Sequence, residues 1–332
     1  MFTRYLQFIP VAAVVIFSGC KTPPSVAPVT PPPLVSTAVP VVTATPSPVG
    51  TVAAPVAIAI PEPVTRPLPK HIRIGLALGG GAARGFAHVG VIKALESQDI
   101  DVEIVTGTSA GSLVGALYAA GNSGFALQKI ALSMDEATLS DWKVPLFGNT
   151  TGVLKGEGLQ NFVNREVHQL PIEKLKKPFG AVATDLNTGL PILFRRGNTG
   201  AAVRASSAVP GVFQPVRIGD KLYVDGGLIA PVPVSFAREM GADFVIAVNI
   251  SAEPDAQASS SSLNVLMQTF SIMGQTINQY ELKGADIVIR PELADMKSGD
   301  FAGRHTAILA GERATMNAMA EIKRKIREMQ EK

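Results

Sequence analysis

Gly107-Thr108-Ser109-Ala110-Gly111 is the stretch of this sequence that decides its fold. It follows a short apolar run at 102–105, typical of a buried strand, and opens a segment of small residues at 109–120, typical of a helix. Glycines stand two residues away on either side of the serine, where side chains would block a sharp strand-to-helix turn. Such a turn exposes the serine hydroxyl. We therefore predict Ser109 to be a nucleophile on an α/β domain, with Gly107 and Gly111 as its supports.

A second motif, the glycine-rich run Gly79-Gly80-Gly81-Ala82-Ala83-Arg84-Gly85, follows the apolar segment 72–78. Backbone N–H groups that are exposed at a strand end and helix N-terminus can stabilise a developing oxyanion. We expect the donors to be the amides of Gly81 and Ala82, with Gly80 providing backbone freedom. Arg84 either holds this loop in place or forms a structural ion pair.

Phosphate binding is the competing interpretation of the glycine-rich run. The dinucleotide fingerprint G-x-G-x-x-G fails, because Arg84 or Ala82 stands where a glycine is required. The Walker pattern begins with Gly80 and Gly85 at the required spacing but continues with Phe86 and Ala87 instead of Lys-Ser/Thr. We therefore expect no nucleotide ligand.

The third motif, Asp225-Gly226-Gly227, follows the apolar run 222–224 and offers a carboxylate that can accept a serine proton. A Ser-His-Asp triad would need a histidine in a loop after a late strand. None of the histidines lies at such a place, and we expect each to be structural or on the surface: His71, His88, His168 and His305. A plain Asp-Gly hairpin turn is the alternative. With the other two motifs present, we predict Asp225 to be the base of a Ser-Asp dyad, supported by Gly226.

Strand-like and helix-like segments alternate through the rest of the chain, which predicts a mostly parallel sheet covered on both faces. Strands are expected at 72–78, 102–105, 179–184, 244–250 and 287–289, with short strands or hairpins at 191–196 and 216–224. Helices are expected at 84–96, 109–120, 125–137, 158–168, 265–282 and 305–329, and a loop at 251–263.

The N-terminus is typical of a targeting signal. Arg4 precedes the apolar run from Ile9 to Phe17, which has signal-peptide length and is too short to span a bilayer comfortably. Phe17-Ser18-Gly19-Cys20 resembles the bacterial lipobox, with Phe17 where leucine is commoner. This resemblance implies cleavage before Cys20 and its lipidation, and Lys21 resembles an outer-membrane sorting signal. The alternative is an ordinary secretory signal, or an uncleaved anchor, with Cys20 incidental.

Composition divides the chain further. Residues 1–19 are predicted to be the signal peptide, 20–69 the lipidated cysteine with a disordered tether rich in Pro, Val and Thr, and 70–332 the globular domain. The net charge is only +3 without a basic stripe, so we expect no nucleic-acid partner. Cys20 is the only cysteine, which excludes an intramolecular disulfide and cysteine zinc clusters. We expect no metal and no cofactor.

Taken together, the motifs resemble the patatin-like phospholipase family in its bacterial form. The resemblance covers roughly residues 73–250 and rests on the glycine-rich loop 79–85, the elbow 107–111 and Asp225-Gly226. Two further segments, 183–189 and 204–211, fit the bacterial members. Ala82 is a departure, because many members carry another glycine there.

The resemblance implies a three-layer α/β/α sandwich and hydrolysis of acyl esters by a Ser-Asp dyad. On this basis we expect a membrane-tethered hydrolase of phospholipids or lysophospholipids in the cell envelope, anchored through lipidated Cys20, with the outer membrane as its place. An esterase or thioesterase acting on soluble acyl compounds and a non-catalytic lipid-binding protein of the same fold are the alternatives. A solvated aspartate has a pKa of about 3.9, so burial or hydrogen bonding must make Asp225 an effective base at neutral pH.

Overall fold

The structure, a computed structural model, describes residues 70–134, 154–254 and 261–331. These residues fall within one unit that spans Thr65–Lys332. The predicted signal peptide, Cys20 and the predicted tether lie outside the described residues, as does the end of the predicted helix 125–137. The division of the chain at 19 and 69 therefore stays a prediction.

One mixed sheet organises the described chain. Its strands are β1 (Ile74–Leu78), β2 (Val102–Thr108), β3 (Phe179–Asp185), β4 (Pro191–Phe194), β5 (Val216–Ile218), β6 (Lys221–Asp225), β7 (Phe244–Val248) and β8 (Ile287–Ile289). They lie in the order β5-β6-β3-β2-β1-β7-β8, with β4 paired to β3 off this path. The pairings among β1, β2, β3, β7 and β8 are parallel, whereas β4 and β6 pair antiparallel with β3, and β5 pairs antiparallel with β6.

Helices cover both faces of the sheet. The helices of the described chain are α1 (Phe86–Glu96), α2 (Ala110–Ala119), α3 (Gly124–Ser133), α4 (Glu157–Glu166), α5 (Thr199–Ser206), α6 (Val234–Glu239), α7 (Ser262–Glu281) and α8 (Arg304–Gln330). Among them, none is long and apolar enough to cross a membrane. Side chains alternate between the two faces of the sheet along β1. Leu76 and Leu78 join the core cluster built with α1 and α8, while Ala77 packs with Val234 and Ala237 of α6.

The α/β class and the mostly parallel central sheet are confirmed, while several element bounds differ from the prediction. The strand expected at 102–105 runs on to Thr108, and the segment 216–224 is a hairpin of β5 and β6. A short 3-10 helix, Ala82–Gly85, precedes α1 where one helix from residue 84 was expected. The sequence analysis also missed α5 and α6, which are short.

The parallel register brings the motif loops to one edge of the sheet. Leu78, the last residue of β1, pairs with Gly107 on β2 and with Val248 on β7. The glycine-rich loop and the elbow leave adjacent strands at their carboxyl ends, where open α/β sheets place their ligands.

Candidate active site

The strand-to-helix turn holds Ser109 in a strained backbone conformation. β2 ends at Thr108 and α2 begins at Ala110, with Ser109 between them at φ 52 and ψ −122. A Cβ on Gly107 would come 2.4 Å from the carbonyl oxygen of Gly111, and a Cβ on Gly111 would come 2.1 Å from that of Leu78. Only glycines fit at both positions, as the elbow motif requires.

The amide of Ser109 is held by another serine. The Ser109 N–H donates to Ser206 Oγ at 3.0 Å, and the Ser206 hydroxyl donates to the carbonyl oxygen of Val182 on β3 at 2.5 Å. Ser206 thus couples the elbow to the neighbouring strand through the end of α5. The sequence analysis did not single out Ser206, although it lies in the segment 204–211 that carries the family resemblance.

Asp225 is the last residue of β6, and its carboxyl group lies beside Ser109. Its Oδ1 accepts the Gly227 N–H at 2.6 Å, so Asp225 caps a 3-10 turn, and the hairpin interpretation of Asp-Gly is wrong. Its Oδ2 is buried and accepts no hydrogen bond of standard geometry from the described residues. Gly226 is required here, because a Cβ would come 2.2 Å from the carbonyl oxygen of Val182.

Burial makes the Asp225 carboxylate a stronger base than an ordinary aspartate. Desolvation raises its pKa from 3.8 to about 6, although the hydrogen bond from the Gly227 N–H and the nearby Ser109 hydroxyl lower it. A base with a pKa near the operating pH is ionised and still takes up a proton readily. The buried position of Asp225 therefore makes it an effective base near neutral pH, as the sequence analysis required.

The glycine-rich loop has two amides available next to the elbow. The Gly80 N–H donates to the carbonyl oxygen of Pro231 at 2.9 Å, and the Ala83 N–H donates to that of Ser298 at 3.1 Å. Neither Gly81 nor Ala82 donates its N–H to an acceptor in the described chain. These two are the amides that the sequence analysis assigned to an oxyanion.

The loop differs from the prediction at Gly80. Gly80 shows no positive φ, so backbone freedom is not its role; a Cβ there would come 3.3 Å from that of Ser109. Its amide is engaged, so Gly80 contributes space and not a donor. Ala82 adopts φ 49, a left-handed conformation that favours glycine.

Arg84 and His88 hold the loop from behind. The Arg84 Nε donates to the carbonyl oxygen of Met296 at 2.9 Å, and Arg84 forms no ion pair with the described residues, so the loop-holding role is the one observed. His88 is fully buried, and its Nε2 lies 2.8 Å from the carbonyl oxygen of Gly79. Burial lowers the pKa of His88 to about 4, so the ring is neutral. It supports Gly79 from within α1.

The remaining histidines have other surroundings. The ring of His71 lies 2.9 Å from the carboxylate of Glu103, near the amino end of β2 and so at the opposite end of that strand from Ser109. His168 follows α4, and His305 is an exposed residue in the first turn of α8. In the described ranges, no group of three or more His, Cys, Asp or Glu side chains could hold a metal ion.

Asp185, the last residue of β3, has a structural role. Its carboxylate accepts the N–H groups of Asn187 and Thr188 and pairs with Lys221 at 3.1 Å, which closes the turn between β3 and β4. The hydrogen bond from Lys221 lowers the pKa of Asp185.

Residues 76–238 match the patatin-like phospholipase family. This domain belongs to that family. The chain is 37% identical over 202 residues to an uncharacterized NTE family protein of Mycobacterium bovis, covering 60% of this chain and 55% of that protein. It is 31% identical over 229 residues to human patatin-like phospholipase domain-containing protein 6, covering 68% of this chain and 16% of that protein. The chain thus spans about half the length of the first relative.

The fold also resembles a solved structure. VipD from Legionella pneumophila superposes with a TM-score of 0.54 at 14% identity, covering 76% of this chain and 68% of that one. At that identity the likeness concerns the fold alone.

Proposed function

We propose that this patatin-like domain is a serine acyl-ester hydrolase acting on phospholipids or lysophospholipids through a Ser109–Asp225 dyad. The observation that carries the proposal is the buried Asp225 carboxyl group, with a pKa of about 6, beside a serine held at a strained elbow. Family membership supports a lipid substrate.

In the first half of the reaction, the Ser109 Oγ attacks the ester carbonyl carbon while Asp225 takes the hydroxyl proton. The carbonyl oxygen becomes an oxyanion, which the amides of Gly81 and Ala82 stabilise by donating hydrogen bonds. The tetrahedral intermediate then collapses, the carbon–oxygen bond to the leaving alcohol breaks, and Asp225 returns its proton to that alcohol.

In the second half, water attacks the acyl-serine ester while Asp225 accepts a proton from the water. A second oxyanion forms against the same two amides. Its collapse breaks the bond to Ser109 Oγ, which takes the proton from Asp225, and the fatty acid leaves. Asp225 is thereby ionised again, so protons and bonds balance over the cycle.

For the whole chain, we propose a lipoprotein tethered through Cys20 in the cell envelope, at the outer membrane. The lipobox-like segment and Lys21 support this placement. A catalytic domain on a long tether can work on lipids of the membrane that anchors it.

Release of fatty acid from a panel of phospholipids, lysophospholipids and acyl thioesters tests the proposal, with Ser109→Ala as the control. We expect hydrolysis of the lipid esters by the wild type and none by the variant. Activity confined to soluble esters or thioesters would favour the esterase alternative, and no activity on any ester would favour a lipid-binding protein.

A further inference from the structure

The exposed side of α7 is uncharged and carries large apolar side chains between small polar ones. Of its twenty residues, Ser262 to Glu281, only the last carries a charge. Large apolar side chains nonetheless face solvent: Val265 is 53% exposed, Ile272 51% and Met273 45%. The terminal helix α8 is also a surface helix, yet its exposed positions include Arg313, Glu321, Arg324, Arg327 and Glu328. Surface helices of soluble domains usually resemble α8 in this respect.

The inner side of α7 touches the domain along a narrow strip. Within this helix only Gly274 and Asn278 are buried, where an amphipathic helix usually buries a wider stripe. A Cβ on Gly274 would lie 3.6 Å from the Pro231 ring, and the Asn278 amide donates to Ser251 Oγ at 3.0 Å. Packing against the described part of the domain thus does not account for the exposed apolar residues Val265, Ile272 and Met273.

The contacts of α7 lie on the loops that hold the active site. Pro231 accepts the Gly80 N–H with its carbonyl oxygen, and Gly211, which faces Leu266 of α7, follows the segment whose Ala208 carbonyl accepts the Asp225 N–H at 3.0 Å. Since α7 lies between the parallel strands β7 and β8, its first turns are near the carboxyl edge of the sheet. That edge carries Ser109.

We propose that the outward face of α7, defined by Val265, Ile272, Met273 and Tyr280, inserts into the interfacial layer of a phospholipid bilayer. The absence of charge along this face favours lipid over water, and no charged group needs to be desolvated. Tyr280 is 69% exposed, and the Lys283 ammonium lies 5.1 Å from the centre of its ring. An amphipathic aromatic side chain next to a basic one is typical of a membrane–water boundary.

A second apolar group supports the same orientation. Leu186 and Leu190, 46% and 64% exposed, lie in the turn that follows β3 at the carboxyl edge. With α7 on the bilayer, the edge that carries Ser109 faces the source of an acyl substrate. That the inserted helix brings Ser109 to an acyl substrate rests on the proposed function, whereas the insertion of α7 itself does not.

A single tryptophan placed on α7 tests the insertion directly. The only native tryptophan, Trp142, is replaced by Phe, and Ile272→Trp is introduced in the full chain carrying Cys20→Ala, so that no lipid anchor is present. Vesicles of phosphatidylethanolamine with a minority of phosphatidylglycerol are added, with and without brominated acyl chains. We expect the emission to shift to the blue and to be quenched by the brominated lipid. The matched control is Leu309→Trp on α8, because Leu309 has a similar exposure of 55% in the wild type. It should show neither the blue shift nor the quenching.

Two results would overturn the proposal. Emission at 272 that is already blue-shifted without vesicles, and unchanged by them, would mean that another part of the chain covers α7. A tryptophan at 272 whose emission remains that of a solvated side chain after vesicles are added would mean that α7 does not insert. Equal quenching of the tryptophans at 272 and 309 would mean the same.

A charge variant links the insertion to catalysis. Ile272→Lys should lower the ratio of vesicle hydrolysis to soluble short-chain ester hydrolysis by about tenfold or more, because a lysine on this face opposes insertion. Leu309→Lys should leave the ratio unchanged. An unchanged ratio in Ile272→Lys would contradict the proposal, whereas a wild type without any hydrolysis would contradict only the proposed function.

Discussion

At the scale of single residues, the two oxygens of Asp225 have different surroundings. Oδ1 is held by the Gly227 N–H at 2.6 Å, while Oδ2 is buried without a hydrogen bond of standard geometry from the described residues. The hydrogen bond fixes the orientation of the carboxyl group, and the burial keeps its negative charge poorly solvated. The same burial that makes Asp225 basic therefore has consequences for both rate and stability.

The rate should depend on pH through Asp225. Because the ionised carboxylate is the base and its pKa is about 6, kcat/KM on a soluble ester should rise with pH and level off above a midpoint near 6. A series of initial rates from pH 4 to pH 8 measures this midpoint. A midpoint near the ordinary aspartate value would mean that burial does not tune the base.

The ionised form of Asp225, which the reaction needs, should lower the stability of the fold. A folded-state pKa above the unfolded value means that the folded protein binds the proton more tightly, so the fold loses stability as the pH rises from about 4 to about 6. Asp225→Asn removes this charge and should raise the free energy of unfolding at pH 8 by up to about 3 kcal/mol. The gain should shrink to well under about 1 kcal/mol at pH 4, where the folded group is protonated and the unfolded group is about half protonated.

Urea unfolding of both proteins at pH 8 and pH 4 measures the difference. An Asp225→Asn variant that is less stable than the wild type at pH 8 would contradict this account of the charge.

At the scale of secondary-structure elements, Ser206 links the end of α5 to β3 and to the elbow. Ser206→Ala leaves the Ser109 N–H and the Val182 carbonyl oxygen without this partner, which should cost about 1–3 kcal/mol of stability. A displaced elbow should also lower kcat, roughly ten- to a hundredfold. Thermal unfolding and initial rates on a soluble ester measure the two effects.

Its neighbour Ser207 offers the matched control. The Ser207 Oγ is buried without a hydrogen-bond partner in the described chain, so Ser207→Ala removes an unsatisfied group and should be neutral or stabilising. Equal losses in the two variants would show that volume, and not the hydrogen bonds of Ser206, is what matters there.

Elements with a strong local pattern were predictable, and those defined by distant contacts were not. The apolar runs of β1 and β7 and the period of α8 are visible in the sequence because burial dictates them. The six residues of α6 are too few to show a period. α5 had a readable start, since the Asn198 side chain accepts the Ala201 N–H at 2.7 Å as an N-cap.

The candidate site divides in the same way. Ser109, Asp225 and the glycines around them follow from local motifs, because each needs a particular turn. The engagement of the Gly80 amide by Pro231 joins segments about 150 positions apart in the chain, and no local pattern announces such a contact.

At the scale of the whole molecule, the N-terminal segment should determine where the enzyme works. If Cys20 is lipidated after cleavage, the mature protein should partition with membranes, since two or more acyl chains give stable anchoring. Cys20→Ala should release a soluble domain or block processing, which fractionation of cells detects. Mass spectrometry that finds an unmodified Cys20 at the mature N-terminus would reject the lipoprotein assignment.

The central claim for the molecule is that a Ser-Asp dyad, without histidine, performs the hydrolysis. The most direct measurement is the initial rate of Asp225→Asn on one short-chain ester, with circular dichroism confirming the fold, beside His168→Gln and His305→Gln. We expect Asp225→Asn to lose about two to four orders of magnitude, the usual contribution of a general base, and the histidine variants to keep near wild-type rates. Near-normal activity in Asp225→Asn, together with collapse in a histidine variant, would contradict the dyad.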